Sequence, residues 1–227
     1  VESTWPTVLS DLTGKEYSIK PSIRETGSRP VRGDIVATGL TILPARKQII
    51  DYSDPTFPSA VWLLARADSG ITPITPSGNL ERDIKATKAV MKRGATFVAD
   101  NSCLDPTLYG LEGKGLKLKR FVLGAGNVNE VVPAMLKNES DMTLLDVPDV
   151  LLAMERWSGR VIVVGPISGE QRMAAGFRKD SPKLREAFNS FLAGIKKDGT
   201  YMKLVRKYFR GAPRYMPEFF VDIPGRD

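Results

Sequence analysis

Apolar runs of strand length alternate with amphipathic runs of helix length through most of this chain, and that alternation constrains the fold more than any single motif. Strand character falls at 34–39, 60–66, 95–99, 116–123, 142–146, 161–164 and 174–178, with a further alternating run at 17–23. Helix character falls at 5–12, 80–93, 103–111, 129–138, 148–157, 181–198 and 200–209. The clearest helix, 181–198, has Ser181 at its N-cap and Pro182 at its first position. Its apolar face is Leu184, Phe188, Phe191, Leu192 and Ile195, and Gly199 stops it. Asn79 caps the helix at 80–93 and Gly94 ends it, while Pro148 stands in the first turn of the helix at 148–157. Strand–helix alternation predicts an α/β chain with largely parallel sheets. A turn at Pro44, a Pro/Thr-rich linker at 71–78 and a proline-rich tail at 211–227 punctuate it.

At 227 residues, 42% hydrophobic and 26% charged, the chain has the composition of a globular protein with a sizeable core. No apolar run approaches the ~18 residues of a membrane span. Histidine is absent, which excludes Ser-His-Asp and Cys-His catalysis and histidine metal sites. The single cysteine, Cys103, excludes internal disulfides, Cys-x-x-Cys redox motifs and zinc clusters. No metal and no cofactor is expected. The formal charge is +7, yet the basic residues are scattered apart from short clusters at 114–120 and 203–210. No stacking-aromatic motif accompanies them, so no nucleic-acid partner is expected. The opening Val1-Glu2-Ser3-Thr4 is not a secretion leader, which fits a cytoplasmic chain or a mature or trimmed form.

Several candidate sites have plainer explanations. Gly124-Ala125-Gly126 resembles the start of a dinucleotide fingerprint, but the third glycine is missing. Asp54, Asp141, Asp146, Asp149 and Glu155 do not have EF-hand spacing and suit helix starts and surfaces. Cys103 has no histidine base and reads as a small residue at a helix start. Gly39 to Arg46 is more informative. A glycine and the Thr41 hydroxyl follow a buried strand, and Arg46 lies across the Pro44 turn. A backbone N–H, a hydroxyl and a planar guanidinium at one strand end can converge on a carboxylate. A weak internal echo supports two similar lobes: 31–38 and 137–145 both place a polar turn and an aspartate before a buried strand. The first strand ends near Thr41 and the second at Asp146, which suggests a shared cleft.

The stretch Gly33-Asp-Ile-Val-Ala-Thr-Gly-Leu-Thr-Ile-Leu-Pro-Ala-Arg-Lys-Gln-Ile-Ile-Asp-Tyr-Ser-Asp-Pro55 resembles the signature of bacterial extracellular solute-binding proteins of the polar amino-acid family, which serve ABC transporters. Leu144-Leu-Asp-Val-Pro148, Phe177-Arg-Lys-Asp-Ser-Pro182 and Asp198-Gly-Thr-Tyr201 with Lys207-Tyr208 agree with it. The resemblance covers roughly 30–210 and implies an α/β, two-lobed type II periplasmic-binding fold with a central ligand cleft. It implies lobe 1 from 1–67 plus 168–227, and lobe 2 from 68–167. By similarity, Arg46 clamps a ligand carboxylate with Thr41 and the Gly39 backbone, and Asp146 meets the ammonium group. Asn101, Ser102 and Cys103 fall where the second lobe presents a helix N-terminus to the carboxylate. Phe57 falls near a first-lobe pocket wall. The implied function is capture of a small ligand, an α-amino acid or related compound, by a non-enzymatic monomer outside the cytoplasm, for an ABC-transporter permease.

The chain also departs from that family. The strand and loop that usually open the first lobe are not recognisable, 25–32 holds only a loop, and Leu43 replaces a common hydroxyl residue. Related domains are fused to membrane sensors and lytic transglycosylases, and a cyclohexadienyl dehydratase shares the fold. These define the alternatives of a sensing module or an enzyme. The aromatic tail at 210–220 is expected to pack on its own lobe.

Overall fold

The computed structural model describes residues 34–100, 102–121 and 130–225. The elements expected at 5–12 and 17–23, Gly124–Gly126 and Asn101 lie outside these residues.

In chain order, β1 (Ile35–Thr41) leads through α1 (Pro44–Lys47), β2 (Asp51–Tyr52) and β3 (Phe57–Ser59) to β4 (Val61–Arg66). Helix α2 (Leu80–Val90) continues into a 3-10 turn, Met91–Arg93, and then β5 (Ala95–Val98). A second 3-10 turn, Pro106–Tyr109, precedes β6 (Lys117–Arg120). Then come α3 (Val131–Leu136), β7 (Met142–Asp146), α4 (Val147–Arg156), β8 (Val161–Pro166) and β9 (Gln171–Phe177). Helices α5 (Pro182–Lys197), α6 (Thr200–Tyr208), α7 (Ala212–Tyr215) and α8 (Pro217–Phe220) close the chain.

The strands form two sheets. In the first, β9 pairs with β1, β2 and β3; the second has the order β6-β5-β7-β4-β8. Residues 61–66, expected in the first lobe, are hydrogen-bonded into the second sheet. The chain therefore passes between sheets at Ala60 and returns between Pro166 and Gln171.

Largely parallel sheets were expected, and the structure corrects this. Among the described residues the parallel pairings are the two that β5 makes, with β6 and β7, and every other pairing is antiparallel. Strand β4 enters the second sheet from the first, and β9 serves as the common partner of β1, β2 and β3. Strand direction there depends on which distant strands pair, and local alternation carries no record of that.

The continuous apolar runs of β4 and β7 follow from burial on both sheet faces. Successive side chains alternate faces. Val61, Leu63, Ala65, Met142 and Leu144 enter one core cluster, while Leu64 and Leu145 enter another with Phe97 and Met135. Strand β1 behaves differently: Ile35 and Val36 are exposed, against the expected buried strand. The aromatic tail packs back on the chain: Ala212, Phe220 and Ile223 cluster with Leu192, Tyr201, Met202 and Val205, while Tyr215 meets Trp62 of β4 edge-on with ring centroids 6.0 Å apart.

Two glycines give opposite expectations. A Cβ at Gly165 would lie 2.3 Å from Thr87 Oγ1 and 2.9 Å from Ile74 Cγ1. Thr87 is buried and its hydroxyl donates to the Asp83 carbonyl. Gly165→Ala should cost about 1–3 kcal/mol through overpacking and lower the melting temperature by several degrees. Gly194 lies within α5, and a Cβ there would meet no atom of the described residues within 4 Å. Gly194→Ala should therefore raise stability by about 0.5–1 kcal/mol. Thermal melts of the two variants check the pair.

Candidate functional site

Strand β1 ends at Thr41, and Pro44 opens the single turn of α1, which brings Arg46 back beside that strand end. Arg46 Nη1 donates to the Thr41 carbonyl at 3.1 Å, and Tyr52 Oη donates to the same oxygen at 3.1 Å. A guanidinium has five N–H donors, and this bond engages one of them. The Thr41 side chain is buried, and its Oγ1 has no hydrogen-bond partner among the described residues.

Asp146 ends β7 in the second sheet and occupies the N-cap position of α4, where an aspartate ordinarily accepts from the first turn. Here it makes no cap bond. Oδ2 instead accepts from Cys103 Sγ at 3.1 Å, and Oδ1 is buried without a partner among the described residues. Burial pushes the Asp146 carboxyl up to about 7, and neighbouring Asp149 adds to the rise. The Cys103 hydrogen bond and the Arg46 charge oppose it. Burial and then the Asp146 charge also push the Cys103 thiol up, so Cys103 is a protonated donor. The close approach of the Thr41 hydroxyl and the Arg46 charge act on that thiol in the opposite sense.

Thr41, Arg46, Cys103 and Asp146 are thus neighbours, the first pair at the end of a strand of the first sheet and the second pair beside and at the end of strands of the second. One pair offers a guanidinium, the other a carboxylate, and each has a polar oxygen without a partner among the described residues. Burial of an unpaired polar oxygen is unfavourable, so the arrangement suits a solute that brings N–H donors and an acid group.

Other expected site residues are placed differently. Gly39 lies exposed in an irregular stretch of β1 between Val36 and Leu40, where a Cβ would meet Met173 Sδ at 2.9 Å. Its visible role is to let β1 lie close to Met173. Phe57 is not with the cluster: its ring packs on Phe209 at 4.8 Å and Phe220 at 6.0 Å, in the C-terminal core. Ser102 donates to the Ala99 carbonyl and accepts from Leu104 N, so its hydroxyl is used in the turn after β5.

The helix expected at 103–111 is only the 3-10 turn Pro106–Tyr109. Asp105 caps it by accepting from Thr107 N, and Gly110, with φ of 60°, ends it. The expected helix N-terminus at Ser102 and Cys103 is therefore replaced by a turn that delivers the Cys103 side chain. Among the other acids, Asp141 holds the Ala95 N–H, and Asp149, whose carboxyl burial raises to about 6, sits in the first turn of α4.

Sequence reading missed Tyr52, Tyr109 and Gln171. Tyr52 braces the Thr41 carbonyl, while Gln171 Nε2 donates to Tyr109 Oη at 3.2 Å. Only the pairing of distant segments makes them neighbours, and no local pattern marks that.

Residues 18–211 match the family described as bacterial extracellular solute-binding proteins, family 3. The chain is 26% identical over 178 residues to membrane-bound lytic murein transglycosylase F of Desulfosudis oleivorans, across 78% of this chain and 36% of that protein. It is 25% identical over 189 residues to the arginine-binding extracellular protein ArtP of Bacillus subtilis, across 78% of this chain and 64% of that one. The chain thus spans less than two thirds of the length of these curated relatives. A mutant of ArgBP from T. maritima superposes with a TM-score of 0.63 at 21% identity, covering 78% of this chain and 69% of that one. An ancestral arginine-binding protein bound to glutamine superposes with a TM-score of 0.62 at 25% identity, covering 78% and 71%. With its two-lobed α/β fold of the type II periplasmic-binding class, the chain belongs to the bacterial extracellular solute-binding proteins, family 3.

Proposed function

We propose that the cleft between the two sheets captures a small α-amino acid or closely related solute. The observation that carries this reading is the state of Asp146. It holds an N-cap position without capping, is buried, and keeps one oxygen unpartnered among the described residues, within reach of the Arg46 charge. A zwitterion satisfies both sides at once: its carboxylate meets the Arg46 fork and its ammonium meets Asp146. Closure then depends on the solute bridging the lobes, because each charge is costly to bury alone. We take Ala60 and residues 167–170 as the crossovers about which the lobes close. In this reading the protein is a non-enzymatic monomer in the periplasm or outside the cell that hands its solute to an ABC-transporter permease.

The likeness to a lytic transglycosylase supports a second reading, in which the same cleft senses a solute within a longer wall-lytic protein. A thermal-shift screen of ligand-stripped protein against L-amino acids, amines, dicarboxylates and prephenate tests the solute class. A solute at 100 times its dissociation constant adds about 2.7 kcal/mol, a rise of several degrees at this size. Shifts confined to α-amino acids are expected. The absence of any such shift overturns the reading, and turnover of prephenate would replace it with an enzymatic one.

A further inference from the structure

Gln171 opens β9 in the first sheet, and Tyr109 closes the 3-10 turn that follows β5 in the second. Gln171 Nε2 donates to Tyr109 Oη at 3.2 Å, and Tyr109 Oη donates to the Cys103 carbonyl oxygen. Cys103 Sγ in turn donates to Asp146 Oδ2. The chain of bonds runs from the first sheet to the acid of the cleft. Tyr109 is held on its own side as well, since Lys88 Nζ donates to its carbonyl at 2.6 Å.

These directions fix the Gln171 amide. Burial raises the Tyr109 phenol to about 12, so its oxygen keeps its proton and commits it to Cys103. The phenol oxygen is then an acceptor toward Gln171, and only the amide N–H can face it. The amide oxygen, Oε1, points elsewhere, and it is buried without a partner among the described residues. A buried acceptor left unmade is costly, and Asp146 Oδ1 and Thr41 Oγ1 share that condition.

We propose that Gln171 is a specificity-determining residue of the cleft: its amide N–H ties the first sheet to the second through Tyr109, and its buried oxygen accepts an N–H from the bound solute. This rests on the solute-binding reading above. It favours solutes that carry more N–H donors than Asp146 alone consumes, such as a primary ammonium with all three hydrogens or a side chain bearing an amide or guanidinium. Carboxylates without N–H groups gain nothing from the Gln171 amide oxygen.

The test compares wild type, Gln171→Leu, Tyr109→Phe and the double variant in two measurements. One is calorimetric titration with L-arginine, with propionate as a probe lacking N–H groups. The other is the radius of gyration of the ligand-free protein by X-ray scattering. Gln171→Leu should weaken L-arginine at least tenfold and propionate no more than Tyr109→Phe does, because loss of the tie alone acts on every solute alike. Tyr109→Phe, which keeps the ring, should weaken L-arginine several-fold. The double variant should be no weaker than Gln171→Leu, because both changes remove the same bond between sheets. Either single variant should enlarge the ligand-free radius of gyration. L-arginine bound within twofold of wild type by Gln171→Leu overturns the proposal, as does an unchanged radius of gyration. If wild type binds no amino acid, the solute reading falls on its own and scattering alone decides the tie: enlargement supports it and constancy overturns it.

Discussion

Arg46→Ala is expected to lower affinity for L-arginine, L-glutamine and other α-amino acids by on the order of a hundredfold or more, with little change in folding stability. Truncating one partner of a buried, hydrogen-bonded charge pair costs about 2–5 kcal/mol, because the other charge is left unpaired. Here the unpaired charge would be the solute's carboxylate. Stability should hold because Arg46 sits on a one-turn helix with no buried residue. Its side-chain bond is to a carbonyl that keeps Tyr52 as a second donor. Arg46→Lys should fall between, since lysine retains the charge and loses the planar fork. Calorimetric titration and a thermal melt of each variant check this. An alanine variant that binds within threefold of wild type would remove Arg46 from the site.

The sequence made Arg46 legible for a physical reason. Proline at the start of a turn and arginine two residues on place a guanidinium back over the preceding strand, and both signals are local. Strands β4 and β7 were legible likewise, as apolar runs with strand length, and 142–146 coincides with the observed strand. What failed was non-local. The direction of β4 and β9, the diversion of Phe57 into the C-terminal aromatic cluster and the meeting of Tyr109 with Gln171 depend on which segments pair. The expected helix at 103–111 failed for a different reason. Pro106 lacks a backbone N–H and sits one position after the capping Asp105, so the chain starts afresh there and Gly110 ends it within a turn. Asp146 was legible as a position and not as a state: nothing local says that an N-cap aspartate will decline to cap.

That state leads to the other large effect. Asp146→Asn should weaken α-amino acids by on the order of a hundredfold at pH 8 and leave simple carboxylates such as propionate unchanged or tighter, because it removes a negative charge facing an ammonium. The pH dependence follows with a definite sign. Burial raises the Asp146 carboxyl from 3.8 to about 7, so the empty folded protein keeps a proton that the unfolded chain releases. Stability of the empty protein should therefore fall as pH rises from about 4 to about 7, and Asp149, raised to about 6, contributes in the same direction. The asparagine variant should show a flatter slope across that window. Binding of an ammonium needs the ionised carboxylate, so affinity for amino acids should rise with pH toward about 7 and then level off. A carboxylate probe should show the opposite trend, because a protonated Asp146 no longer repels it. The Cys103 donor and the Arg46 charge both favour ionisation and set where the transition falls. Opposite pH slopes for the two ligand classes in wild type, both lost in Asp146→Asn, would tie the ammonium to this carboxylate. Equal losses for amino acids and carboxylates would separate them, since a general defect in closure weakens every solute alike.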